Sequence, residues 1–220
     1  MFRIVTSTEN LSSISLPDLD QIRKRKQTEI LVIDDQGFSY KDYLERLHYS
    51  IRHEFDVDDI RNVEPYSIVL CDIFGVGKKL GLPREGAHLI DEIHSAYPSK
   101  ILIGYSTHNL DPSYSESLKK CDFIANKDTD SDGWQTILNA AITNATDPIQ
   151  QWKRMREFLL RSDVPIFDVF RLEQDYIRSL NKKRVEIFSE SSVLRNLKAD
   201  ARAVIQGFIA NLIFKLLIPS

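Results

Sequence analysis

Cysteine is scarce in this sequence of 220 residues: Cys71 and Cys121 are the two, and both sit in or beside apolar runs. No Cys-x-x-Cys or Cys/His spacing offers a zinc site, and this usage fits a reducing, intracellular compartment. The opening residues, MFRIVTSTENLSS, lack a basic start followed by a continuous apolar stretch. No secretory leader is therefore expected, and a cytoplasmic location is. Membrane contact is not expected either. The most apolar stretch, residues 203–218, falls short of the roughly 20 residues that cross a bilayer, and Gln206, Asn211 and Lys215 interrupt it as a loose polar stripe. A helix buried against protein or a second subunit suits that pattern better. Internal repeats and low-complexity tracts are also missing.

A nucleotide-cradling loop is absent as well. The stretch IVLCDIFGVGKKLG, residues 68–81, is glycine-rich and basic, but position 72 is Asp where a phosphate loop needs its first glycine, and Lys79 follows Lys78 where a hydroxyl residue should stand. Gly75, Gly77, Lys78 and Lys79 then read as a flexible, solvated loop. Asp72, at the end of an apolar run, becomes the residue of interest.

What is present is a composition of 42% apolar and 28% charged residues, the profile of a soluble globular protein rather than a disordered one. Charge is uneven: residues 29–146 carry 11 Lys and Arg against 20 Asp and Glu, whereas residues 147–220 carry 13 against 9. An acidic body and a mildly basic tail suggest two units. The expected organisation is an extension over 1–28, an α/β domain over 29–146 and a helical output or dimerisation segment over 147–220. The RKRK run at 23–26 reads as a solvated helix face.

Within the body, short apolar runs alternate with amphipathic segments. EILVID (29–34), YSIVLCD (66–72), KILIGYS (100–106) and CDFIAN (121–126) read as strands. SYKDYLERLHYSIRHEF (39–55), GAHLIDEIHSAY, PSYSESLKK and SDGWQTILNAAIT read as helices, and FDVDDI as a short edge strand with a reduced crossover. This rhythm predicts a doubly wound parallel sheet covered on both faces. Beyond 146 the pattern is helical throughout: a segment capped by Asp147 with Pro148 in its first turn, a second from Pro165, and a long final one. Trp152, Phe158, Phe167, Phe170, Tyr176 and Phe208 read as packing residues of these helices, not as a base-stacking surface.

In a doubly wound sheet, ligands bind beyond the carboxyl ends of the strands. The polar residues predicted there are Asp34, Asp35, Asp72, Ser106, Thr107 and Lys127. Crowded carboxylates repel and raise one another's pKa, which a divalent cation relieves. An all-oxygen set suits Mg²⁺. With Mg²⁺ bound, one carboxylate can attack a phosphoryl group whose charge the metal and Lys127 offset.

ILVIDDQ (30–36), IVLCDI (68–73), ILIGYST (101–107) and CDFIANKD (121–128), in that order, resemble the signature segments of the response-regulator receiver domain family of two-component signalling. The resemblance covers about residues 29–146. It implies a five-stranded parallel sheet in the order 2-1-3-4-5 and a phosphoacceptor at Asp72. It also implies Mg²⁺ held by Asp35, Asp72 and the Phe74 carbonyl, with Asp34 assisting through water and with Ser106 and Lys127 at the phosphoryl group. A sensor histidine kinase or a small phosphodonor would be the partner. Outside the resemblance, the pattern of the C-terminal helices suits either an output element or a homodimer contact. The chain would be a phosphoacceptor that promotes its own phosphorylation and dephosphorylation, not a turnover enzyme.

Several positions depart from the family pattern. Asp128 stands where Pro is usual, Ile124 where an aromatic residue often swings inward, and Thr107 where Ala is common, next to the phosphoryl position. The 74–84 loop is long and the second crossover short. These departures motivate an alternative, a pseudo-receiver acting as a phosphorylation-independent interaction or oligomerisation scaffold. His108 at the rim reads as incidental. With no histidine beyond 146, a phosphotransfer bundle is not expected there. The charge excess of the tail is too small to suggest nucleic-acid binding.

Overall fold

A computed structural model describes residues 8–14, 20–107 and 114–209. His108, Asn211 and Lys215 lie outside the described residues. The chain divides into two compact units, one made of described residues 20–146 and the other of residues 8–14 with 147–209. The first 28 residues, which the sequence suggests as one extension, are thus shared between the two units.

The first unit runs α1 (Gln21–Gln27), β1 (Glu29–Ile33), α2 (Lys41–Arg46), β2 (Ser50–Glu54), β3 (Ile68–Asp72), α3 (Glu85–Ala96), β4 (Ile101–Ser106), α4 (Ser115–Leu118), β5 (Phe123–Asn126) and α5 (Ser131–Thr146). The strands form one sheet in the order β2-β1-β3-β4-β5, with every pairing parallel. That is the doubly wound order expected, the one shared by flavodoxin-like and receiver domains. Alternation within the strands builds the two covered faces. Ile30, Val32, Ile68, Leu70, Ile101, Ile103 and Tyr105 face Trp134, Leu138 and Ile142 of α5. Leu31, Ile33, Val69, Cys71 and Leu102 face Ala87, Ile90 and Ile93 of α3.

One expected element is corrected. The segment 39–55 is not a single helix: α2 stops at Arg46, His48 takes a positive φ of 71°, and residues 50–54 form edge strand β2. The Tyr49 N–H donates back to the Leu44 carbonyl at 3.2 Å, which closes the helix end. FDVDDI is accordingly not a strand, and the reduced crossover after β2 is a 3-10 turn, Ile60–Val63.

α1 packs against α5 and β2. The Arg25 guanidinium lies 4.4 Å from the Tyr49 ring centroid, and donates to the Leu47 carbonyl and to Asn139 of α5. Gln21 donates to the same Asn139. The basic run is therefore not merely a solvated face: Arg23 and Lys26 are exposed, while Arg25 anchors the helix.

At the amino ends of the strands, Lys100 is buried. Its ammonium donates to the Glu64 carbonyl at 2.9 Å and to the Tyr66 carbonyl, tying the β2–β3 connection to β4. Burial pulls its pKa from 10.5 down to about 7, against the charge of Glu64. A depressed folded value means the folded state holds fewer protons than the unfolded state between about 7 and 10.5, so stability rises with pH there and is lost as pH falls through 7. The unfolding free energy from urea titrations should climb from pH 7 to 8.5, by at most about 1.4 kcal/mol per unit, and Lys100→Met should flatten the climb. The window stays below the ordinary thiol value of 9.0 because burial raises Cys71 and Cys121, whose contributions would oppose the rise.

The second unit contains α6 (Pro148–Arg161), α7 (Ile166–Asn181), α8 (Glu186–Ser189) and α9 (Ala199–Ile209). Asp147 caps α6 by accepting from the Ile149 and Gln150 N–H groups. Trp152 stacks on Tyr176 at 5.0 Å, and Phe188 and Phe208 close the aromatic centre. Of the expected long final segment, residues 189–217, the described part holds a 3-10 turn at Leu194–Asn196 and then α9, and residues 210–217 lie outside the described residues. Packing roles are seen for Trp152, Tyr176 and Phe208, but Phe167 is 67% exposed and Phe170 36%. Among the described residues, no helix is long and apolar enough to cross a membrane.

Candidate functional site

Each strand of the parallel sheet delivers its next residues to the same edge. β1 leads directly into Asp34 and Asp35, β3 ends on Asp72, β4 ends on Ser106, and Lys127 follows β5. One carboxylate oxygen from each of Asp34, Asp35 and Asp72 can be chosen so that all lie within 4.8 Å of one another. The Lys127 ammonium sits between two of these groups, 2.5 Å from Asp72 Oδ2 and 3.0 Å from Asp34 Oδ2.

The two buried carboxylates are not equivalent. Asp34, 1% exposed, accepts from the Gln36 N–H on Oδ1 and from the Tyr105 hydroxyl and Lys127 on Oδ2. Burial opposes its ionisation, but the Tyr105, Gln36 and Lys127 donors outweigh burial and its pKa lies below the usual value. Asp72, 4% exposed, has Lys127 on Oδ2 and a longer contact of 3.2 Å from the Phe74 N–H on Oδ1. Burial dominates here, Asp34 adds repulsion, and the pKa is raised despite Lys127 and Phe74. For Lys127, burial is outweighed by the bonds to both carboxylates, and its pKa is raised.

Asp35 is half-buried and lies against Gly75: a Cβ at that glycine would fall 2.3 Å from Asp35 Oδ2. Phe74 sets its ring against Tyr114 at 5.2 Å. Ser106 is buried one residue past the Asp72–Tyr105 register pair, and Thr107 after it is exposed. The bond between Lys127 and Asp128 is trans, as are all described peptide bonds. Ile124 is 56% exposed.

Sequence reasoning passes over Tyr105. Its hydroxyl reaches Asp34 at 2.5 Å while its ring packs on Trp134 and stands under the Lys127 ammonium at 5.1 Å. The available signal is register: in a parallel pair the residue before Ser106 lies opposite Asp72. The glycine loop also shows why it is no phosphate cradle. The Gly75 N–H donates to Glu85, and those of Gly77 and Lys79 donate to Asp56, so the chain's own carboxylates already take these donors.

The donor set suits a hard cation, being all oxygen and carrying more negative charge than Lys127 alone offsets. Oxygens that all lie within 4.8 Å of one another are close enough for Asp34, Asp35 and Asp72 to hold one Mg²⁺ between them, directly or through water.

No protein-family model matches the chain, and no curated protein does. Among solved structures it is similar to a two-component response regulator from Clostridium difficile, at 18% identity over 53% of this chain and 96% of that one, with a TM-score of 0.44. It is similar to a response regulator from Thermotoga maritima, at 15% identity over 53% and 98%, TM-score 0.44. It is also similar to the receiver domain of NtrX from Brucella abortus, at 22% identity over 52% and 98%, TM-score 0.43. The all-parallel sheet of residues 29–146 has the strand order of the receiver-domain fold, with the β2–β3 crossover reduced to a 3-10 turn.

Proposed function

We propose that this protein is a phosphoacceptor of two-component signalling, phosphorylated on Asp72 by a sensor histidine kinase or a small phosphodonor. The carrying observation is the Lys127 ammonium bridging Asp34 and Asp72 with the Asp35 carboxylate beside them. Asp34 accepts from three donors, whereas among the described residues Asp72 Oδ1 accepts just the long Phe74 contact. Asp72 is thus the less engaged of the two buried carboxylates and the better placed to give a lone pair.

In the proposed step, an Asp72 oxygen forms a bond to phosphorus as the bond from phosphorus to the donor's leaving group breaks, and the electron pair departs with that group. Lys127 leaves its two-carboxylate bridge to pair with a phosphoryl oxygen, and the Ser106 hydroxyl donates to another. Asp35, Asp72, the Phe74 carbonyl and, through water, Asp34 would hold Mg²⁺, which when bound neutralises phosphoryl charge. The chain promotes its own phosphorylation and hydrolysis without acting on an external substrate. Its readout is assigned to the helical unit, as an output or pairing element.

Incubation with Mg²⁺ and acetyl phosphate should add one acid-labile phosphoryl group, read by intact mass, and Asp72→Ala should carry none. An equal gain by Asp72→Ala would sink the reading. The scaffold alternative draws on the deep burial of Asp72 and the exposed Ile124; a chain that stays unmodified and whose unfolding ignores Mg²⁺ would favour it.

A further inference from the structure

The loop between β3 and α3 contains three glycines with positive φ: Gly75 at 82°, Gly77 at 80° and Gly81 at 69°. Such a sequence is costly to order, because glycine gives up more backbone freedom than any other residue. Two carboxylates from outside the loop hold it. Glu85 Oε2 accepts from the Gly75 N–H at 2.6 Å, and Asp56, just past β2, accepts from Gly77 at 2.6 Å and Lys79 at 3.0 Å on its two oxygens. Glu85 itself sits at a φ of 49°, a strained setting for a side-chain-bearing residue. Val57 and Val76 are buried beneath.

The Gly75 N–H belongs to the same peptide unit as the Phe74 carbonyl. That unit is planar and trans, so gripping the N–H fixes the carbonyl in the opposite direction. Gly75 also forms the wall against which the Asp35 carboxylate lies, with no room for a Cβ between them. The position of this loop therefore sets two of the groups assigned to the cation.

We infer that Glu85 and Asp56 are positioning residues for the cation site: by clamping the β3–α3 loop they aim the Phe74 carbonyl and seat Asp35. This inference rests on the phosphoacceptor reading. Neither residue touches the cation, and both act through the loop.

The test measures Mg²⁺ affinity of the full chain by titration calorimetry, using Mg²⁺ alone as the probe. Glu85→Ala and Asp56→Ala should each weaken binding roughly 10- to 100-fold, the usual consequence of losing an outer-shell partner. Glu85→Gln, which keeps an oxygen to accept from Gly75 while losing the same charge, should recover most of that affinity. Asp58→Asn, which removes a nearby charge but only a bond to Asn62, should bind as the parent does. Equal weakening in Glu85→Ala and Glu85→Gln would reduce the effect to charge and overturn the inference, as would parental affinity in both alanine variants. If Glu85→Ala does not fold, Asp56→Ala against Asp56→Asn is compared instead, with partial recovery expected because Asn keeps an oxygen for one of the two loop N–H groups; equal weakening in the two would overturn the inference. Failure of the unaltered chain to bind Mg²⁺ would instead overturn the phosphoacceptor reading and this inference with it.

Discussion

Lys127→Ala should lower stability at neutral pH by about 3–5 kcal/mol, the range seen when one partner of a buried ion pair is removed. The loss is large because the ammonium serves two carboxylates, Asp34 at 3.0 Å and Asp72 at 2.5 Å, both almost wholly withdrawn from water. Without it Asp72, already raised by burial and by Asp34, keeps just the long Phe74 contact among the described residues. The variant should respond to Mg²⁺ more strongly than the parent, because a divalent cation replaces the missing charge. At a concentration of 100 Kd, binding to the folded state alone contributes about 2.7 kcal/mol. Urea unfolding of the full chain with and without Mg²⁺ reads both effects. The raised pKa of Lys127 places its contribution below 10.5, lost as pH rises beyond. A loss under about 1 kcal/mol, the range of exposed pairs, would show that the bridge is solvated and the site does not hold concentrated charge.

The acidic edge was legible in the sequence because parallel sheets repeat one geometry. An apolar run such as ILVI or IVLC buries on both faces, and the residue that follows must emerge at the ligand-binding edge, so strand position alone puts Asp34, Asp35, Asp72 and Lys127 there. Edge strand β2 was not legible. Its residues Ser50–Glu54 carry only one buried side chain, Ile51, and the helical spacing of Tyr40, Tyr43, Leu44 and Leu47 runs on into Ile51 by coincidence. The break is a left-handed turn at His48, a residue with no strong turn signal. Tyr105, Asp56 and Glu85 were missed for another reason. Each acts on a group distant in sequence, and only register or loop path brings them together. The same limit applies to α1, whose Arg25 looks like any solvated arginine until Tyr49 and Asn139 are placed beneath it.

Gly86→Ala should be the most damaging single-methyl change in the α/β unit. Gly86 is the second residue of α3, and a Cβ built there falls 1.8 Å from the Asp72 carbonyl oxygen and 3.0 Å from the Ile73 carbonyl carbon. Both obstacles are backbone, so no rotamer change relieves them. The helix must lift from the end of β3, and with it go the burial of Ala87, Ile90 and Ile93 and the placement of Asp72. Overpacking of this kind costs about 1–3 kcal/mol and sometimes more, and a contact so short belongs at the upper end. Gly207→Ala is the contrast, because it lies in α9 with nothing within 4 Å of its added carbon. There the lost backbone freedom of glycine dominates, and stability should rise by about 0.5–1 kcal/mol. The two variants thus predict opposite signs for one chemical change, readable in the same urea titration. On the proposed phosphoacceptor reading, Gly86→Ala should also lose phosphoryl incorporation while Gly207→Ala keeps it. Parental stability in Gly86→Ala would mean that α3 is free to shift, and that Asp72 is not held by the packing of this helix onto the strand.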